Sequence, residues 1–262
     1  MIGVYDSGLG GLTVLAALRA AGIDDDVVYF ADQAHAPYGE RTDADLHALM
    51  TANLGWLQAH GADLVVMGCN TSCAVAGRLG WPPLAFPLPI QDLIVNGARA
   101  FAGATFRRVA VVATPATVRS HAYSVAIGAV APNVEVVEIA APLLVPLVEA
   151  GESESERARA AVRDVVAAFP PGVDALVYGC THYPLLEAHF AAALPAAVRI
   201  DPAREQARAV RALRLPPGGG TTLYVTNGDV ARFESNVRKW TGDRTGRVTG
   251  LVEPALSRVE GR

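Results

Sequence analysis

Short apolar runs alternate with longer segments of helical period along the chain. IGVY (2–5), VVYF (27–30), LVVM (64–67), VAVVA (109–113), VEVVEI (134–139), ALVY (175–178) and VRI (198–200) are rich in β-branched residues, which predicts strands. TVLAALRAAG (13–22), ADLHALMTANLGWLQAHG (44–61), ERARAAVRDVVAAF (156–169) and PLLEAHFAAAL (184–194) predict helices. Near-continuous apolar strands separated by helices mean parallel sheet covered on both faces, so the fold class is α/β.

The pattern repeats. IGVYDS (2–7) aligns with VAVVAT (109–114), and VVYF (27–30) with VEVV (134–137), both at a spacing of 107 residues. DLVVMGC (63–69) aligns with DALVYGC (174–180) at a spacing of 111. Three matches in order predict two α/β units of similar topology. WPPLAFPLP (81–89) closes the first unit and LPPGGG (215–220) follows the second. TTLYVTNGDVARFESNVRKW (221–240) reads as one more strand and helix that return to the first. The expected division is 1–95 plus 211–262 for one domain and 96–210 for the other.

Ligands of parallel α/β sheets bind beyond the carboxyl ends of the strands. Those ends carry Asp6-Ser7, Asp32, Cys69-Asn70-Thr71, Thr114 with Thr117, and Cys180-Thr181-His182. Two facing units would each point a cysteine at a shared cleft. Racemisation of a carbon acid needs that arrangement: a base on one face of the stereocentre and an acid on the other. A thiol of ordinary pKa about 8.5 can serve in either state once its surroundings tune it. Asp6 and His182 are candidates to tune Cys69 and Cys180. Ser7, Asn70, Thr71 and Thr181 offer neutral donors to a carboxylate.

Composition narrows the alternatives. With 22 Lys+Arg against 26 Asp+Glu and 6% aromatics, the chain has neither the basic footprint nor the stacking platforms of a nucleic-acid binder. Three cysteines without framework spacing point to a reducing compartment, and a cytoplasmic protein is expected. MIGVYDSG lacks the features of a signal peptide, and PLAFPLPIQDLIV (83–95) is too interrupted to span a membrane.

YDSGLGGLTVL (5–15), YFADQAHAPYGERT (29–42), GCNTSCAVA (68–76), ATPATVRSHAY (113–123), PLLVPLVEAG (142–151), YGCTHYPLL (178–186) and YVTNGDVARF (224–233) together resemble the glutamate racemases of the aspartate/glutamate racemase family. The resemblance runs in order over nearly the whole chain. It implies two pseudosymmetric, Rossmann-like domains with mainly parallel sheets and the active site in the cleft between them, cofactor-independent racemisation of glutamate, and D-glutamate supply for peptidoglycan. It implies a site lined by Asp6, Ser7, Pro37, Tyr38, Gly39, Cys69, Asn70, Thr71, Cys180, Thr181 and His182; Thr114 and Thr117, at their strand end, are further candidates for substrate binding. By the same likeness Cys69 deprotonates D-glutamate, Cys180 deprotonates L-glutamate, and Glu149 stands near the second thiol. Ser72-Cys73 and Ala141 depart from the usual family residues, which leaves the choice among acidic amino acids open. A homodimer is a candidate assembly.

Other readings compete. Cys69, Cys73, Cys180 and His182 could form a Cys₃His zinc set, although the tight C-x₂-C knuckle is missing. GLGG (8–11) with Asp32 resembles a dinucleotide fingerprint, but Thr13 stands where the third glycine belongs. A hydrolase built on Cys180 and His182 would leave Cys69 idle, and a binding protein would need neither thiol. Cys73, one helical turn beyond Cys69, reads as core. Asp201 reads equally as a helix cap or a site residue.

Overall fold

The computed structural model of the protein describes residues 1–79, 86–216 and 218–251. Parts of the expected proline-rich boundaries (81–85 and 217) and of the first domain's end (252–262) lie outside the described residues. The strands are β1 (Ile2–Asp6), β2 (Val27–Ala31), β3 (Leu64–Met67), β4 (Ile90–Gln91), β5 (Arg108–Ala113), β6 (Glu135–Ala140), β7 (Ala175–Gly179), β8 (Val198–Ile200), β9 (Thr222–Thr226) and β10 (Arg247–Gly250). The helices are α1 (Gly11–Ala20), α2 (Asp43–Ala59), α3 (Asn70–Leu79), α4 (Leu93–Ala98), α5 (Pro115–Ser120), α6 (Ala122–Val130), α7 (Leu144–Glu149), α8 (Glu156–Ala167), α9 (Glu187–Ala193), α10 (Pro202–Ala212) and α11 (Val230–Thr241). Each predicted strand and helix is present. The segment 184–194 divides into a 3₁₀ turn over Tyr183–Leu186 and then α9.

All the strand pairs are parallel, in two sheets of order β10-β9-β2-β1-β3-β4 and β6-β5-β7-β8. The order β2-β1-β3-β4 repeats as β6-β5-β7-β8, so the sequence repeat is a repeat of topology. Ile2 pairs with Leu64 and Val109 with Ala175, which matches the spacings of 107 and 111. The remaining alignment shifts. Ile2 pairs with Val27, but Val109 pairs with Val136, two residues beyond the Val134 that a spacing of 107 requires. A two-residue slip leaves every side chain on its original face, so the apolar pattern tolerates it. As expected, β9 returns to the first sheet, beside β2.

Strand alternation partitions the core. On β5, Val109, Val111 and Ala113 join the large apolar cluster that includes the first sheet, while Ala110 and Val112 face a second cluster with Leu176 and Tyr178. Polar side chains tie the elements together at their ends. Gln206 of α10 donates to the backbone oxygens of Met67 (3.3 Å) and Gln91 (2.8 Å) and accepts from Asn96 of α4. Thr42, Asp92, Thr114, Ser155, Asp201 and Asp229 cap helix N-termini, Thr114 and Asp201 with a proline following. Asp201 is therefore a cap. Among the described residues no helix is long and apolar enough to cross a membrane.

Candidate active site

In each sheet the chain reverses direction of travel at the central strand. It passes from β1 to β2 on one side and then to β3 on the other, and β5, β6 and β7 repeat the move. Such a switch point opens a crevice at the carboxyl ends of the flanking strands. Asp6 and Ser7 leave β1 there, and Cys69 follows β3. Thr114 and Cys180 leave β5 and β7 in the same way.

Ser7 Oγ lies 3.4 Å from Cys69 Sγ. Cys69 is buried and stands immediately before α3, with its carbonyl accepting from Cys73 N. Burial pushes the Cys69 thiol pKa up, and the Asp6 carboxylate adds to that. The Ser7 and Ser72 hydroxyls pull in the opposite direction. Asp6 is itself fully buried. It accepts from Gly8 N at 3.0 Å and from the Tyr29 hydroxyl at 3.3 Å. Burial raises its pKa, offset in part by the Gly11 N–H and by the charge of His182.

The second thiol has a different environment. Cys180 Sγ is 3.7 Å from His182 Nδ1, and His182 Nε2 is 3.1 Å from Glu149 Oε1 at the end of α7. Burial disfavours the imidazolium, but Cys180 and Glu149 outweigh it, and the His182 pKa is pushed up to about 10. Burial would raise the Glu149 carboxyl, yet His182 and Arg232 bring it below its ordinary value. Arg232 of α11 also donates to the Glu149 carbonyl at 2.6 Å, and Trp240 of the same helix meets the His182 ring edge-on with centroids 6.4 Å apart.

The two halves touch at this point. A β-carbon on Gly10 would lie 2.2 Å from Thr181 Oγ1 and 2.6 Å from His182 Nδ1, so the glycine turn lies hard against the Cys180-Thr181-His182 segment. Thr13 Oγ1 donates to the Thr181 carbonyl at 2.9 Å across the same seam. Glycine at position 10 is thus a close-approach residue. Gly10→Ala is expected to displace Thr181 and His182 and to lower kcat/KM by about a hundredfold with an unchanged circular dichroism spectrum. Steady-state kinetics checks it.

A chain of hydroxyls also crosses between the halves: Thr71 Oγ1 to Thr114 Oγ1 at 3.2 Å, and Thr114 Oγ1 to Thr117 Oγ1 at 3.0 Å. Asn70 Oδ1 accepts from Tyr123 at 2.6 Å, and its buried Nδ2 has no partner among the described residues. Gly39 approaches Thr114, whereas Pro37 is exposed. Tyr38 is buried. It donates to Asp32, and Tyr5 shares a 2.7 Å bond with it. Cys73 is buried, beside the N–H groups of Leu93 and Ile94, which fits the core reading. No group of three or more His, Cys, Asp or Glu among the described residues is disposed to hold a metal ion.

Strand-end reasoning did not reach Tyr29, Tyr123, Thr13, Arg232 and Trp240. Arg232 lies inside YVTNGDVARF, a motif already singled out. Tyr123 ends ATPATVRSHAY, but nothing in that segment signals a hydroxyl directed at Asn70.

The Asp/Glu/Hydantoin racemase family model matches residues 13–210. The chain belongs to that family of isomerases. Its relatives then place it among the glutamate racemases. The glutamate racemase of Gloeobacter violaceus is 41% identical, covering 98% of this chain and 97% of its own length. Glutamate racemase from Thermus thermophilus, solved with β-chloro-D-alanine, superposes with a TM-score of 0.82 at 34% identity, covering 95% of this chain and 96% of that one. The Francisella tularensis enzyme, solved with D-glutamate, gives 0.83 at 26% identity and 95% coverage of both chains.

Proposed function

We propose that this protein interconverts L- and D-glutamate by a two-base mechanism in which Cys69 and Cys180 act on opposite faces of the α-carbon, in a cleft between domains 1–95 plus 211–262 and 96–210. One observation carries the reading. Two buried thiols leave equivalent strand ends of the two sheets, and the turn after β1 links their surroundings: Ser7 Oγ lies 3.4 Å from Cys69 Sγ, while Gly10 packs against Thr181 and His182 of the Cys180 segment.

The chemistry follows from the partners of each thiol. Cys180 passes its proton to His182 Nδ1, and Glu149, facing Nε2, stabilises the imidazolium that pairs with the resulting thiolate. For L-glutamate that thiolate removes the α-proton, and the electron pair passes into the α-carboxylate. The Cys69 S–H then delivers its proton to the opposite face, giving D-glutamate, a Cys180 thiol and a Cys69 thiolate. D-glutamate reverses each step. Burial and Asp6 both favour the neutral Cys69 thiol, the form that donates a proton in the L-to-D direction. The unpartnered Asn70 amide, the Ser7, Thr71, Thr114, Thr117 and Thr181 hydroxyls and the N–H groups of the glycine turn supply donors for the substrate carboxylates. No step calls for a cofactor. The product would serve peptidoglycan synthesis in the cytoplasm, the role implied by the family resemblance.

The test is polarimetric. The purified protein, without added pyridoxal phosphate, should bring either enantiomer of glutamate to the racemate and exchange the α-proton for deuterium in D₂O. Aspartate, shorter by one methylene, should react roughly 10- to 200-fold more slowly. Equal turnover of aspartate, or none of glutamate, would overturn the substrate assignment.

A further inference from the structure

The two thiols have unequal support. Cys180 has an imidazole beside it; Cys69 has a carboxylate neighbour and no imidazole. A group that favours the Cys69 thiolate must therefore come from elsewhere. α3 begins at Asn70, so Cys69 occupies the N-cap and Ser72 the third helical position. In that geometry the cap side chain, here the Cys69 sulfur, faces the backbone of the third residue. Ser72 is fully buried, and its hydroxyl has no hydrogen bond of ordinary geometry among the described residues. A buried hydroxyl without a partner is costly, and this one is close enough to Cys69 to favour its thiolate.

We infer that Ser72 is a positioning residue for Cys69: its hydroxyl turns to the sulfur when the thiolate forms and supplies the hydrogen bond that the resting thiol does not require. The inference rests on the two-thiol reading above. The Ser72 backbone N–H, at the helix N-terminus, likewise favours the Cys69 thiolate. The other titratable groups facing Cys69 are Asp6 and Tyr5 of β1, Tyr29 of β2 and Cys73 of α3. Asp6 opposes ionisation of the thiol, and burial holds all three of these tyrosine and cysteine groups in their neutral, uncharged forms. With the Ser7 hydroxyl at 3.4 Å, Ser72 gives the thiolate a second hydroxyl donor.

The deciding experiment is a thiol titration. In full-length Cys73→Ala/Cys180→Ala protein, Cys69 is the remaining cysteine, and its ionisation is read by ultraviolet thiolate absorbance and by the pH dependence of iodoacetamide alkylation. Adding Ser72→Ala should raise the Cys69 pKa by about one unit or more, since hydrogen bonds to charged groups are worth about 1.5–3 kcal/mol. The same substitution should leave the melting temperature equal or higher, because it removes an unpaired hydroxyl. In the otherwise wild-type chain, Ser72→Ala should move the acid limb of kcat for D-glutamate upward and leave that for L-glutamate in place. An unchanged or lowered Cys69 pKa overturns the inference, even if the protein racemises glutamate normally. A raised pKa in a protein that fails to racemise glutamate upholds the Ser72–Cys69 link and rejects the two-thiol function instead. A loss of melting temperature without a pKa change identifies a packing role and also overturns it.

Discussion

Cys69→Ala and Cys180→Ala are each expected to lower glutamate racemisation by about a thousandfold, in both directions. Positioned acid–base groups contribute roughly 10²–10⁴, and a two-base reaction needs both in every turnover. Direction offers no escape, because the thiol that is the base for one enantiomer is the acid for the other. With enantiomers as substrate and product the equilibrium constant is unity, so kcat/KM must fall equally for both. Deuterium exchange separates the two variants. Under the proposed assignment, Cys180→Ala retains the thiol facing the α-proton of D-glutamate, and Cys69→Ala retains the one facing that of L-glutamate. Any residual exchange in D₂O should be confined to D-glutamate in the first and to L-glutamate in the second. Circular dichroism measures the inversion and proton NMR the exchange. A single-thiol variant that racemises within tenfold of wild type would rule out the assignment.

The sequence carried the architecture because its signals are periodic and local. Continuous Val/Ile runs mark strands buried on both faces, and DLVVMGC and DALVYGC share one spacing because β3 and β7 pair identically with β1 and β5. The weaker match, VVYF with VEVV, was out by two residues, since a slip of even length leaves the buried pattern intact. β4, with two residues, and β10 escaped for lack of length and apolar continuity. At the site, strand ends were legible since parallel topology fixes what they face. Partners from distant elements were not. Glu149 came through family likeness; its link to His182 depends on how α7 packs beside the Tyr183–Leu186 turn, and Arg232 reaches it from α11. Tyr38 was legible as a motif residue, but the buried network that its hydroxyl joins with Asp32 and Tyr5 was not.

That network gives the largest expected effect on stability. Asp32 follows β2 with its side chain fully buried, and its carboxylate gathers donors from four segments. His35 Nδ1 lies at 2.6 Å, Asn53 Nδ2 of α2 at 2.9 Å, Asn227 Nδ2 after β9 at 2.5 Å, and the Tyr38 hydroxyl completes the set. The carboxylate is therefore the node that fixes the turn bearing Pro37 and Gly39, the α2 face and the end of β9. Asp32→Ala leaves these donors facing an apolar gap. The expected loss is about 3–5 kcal/mol, the range for removing one partner of a buried charged cluster. For a chain of this size that is a melting-temperature decrease on the order of 10 °C. Asp32→Asn keeps one acceptor oxygen but sets an NH₂ against existing donors, so it should lose less than alanine and more than nothing. Differential scanning calorimetry orders the variants. Wild-type stability in Asp32→Ala would mean that water replaces the carboxylate at no cost, and the network would then have no part in holding the Tyr38 turn against Thr114.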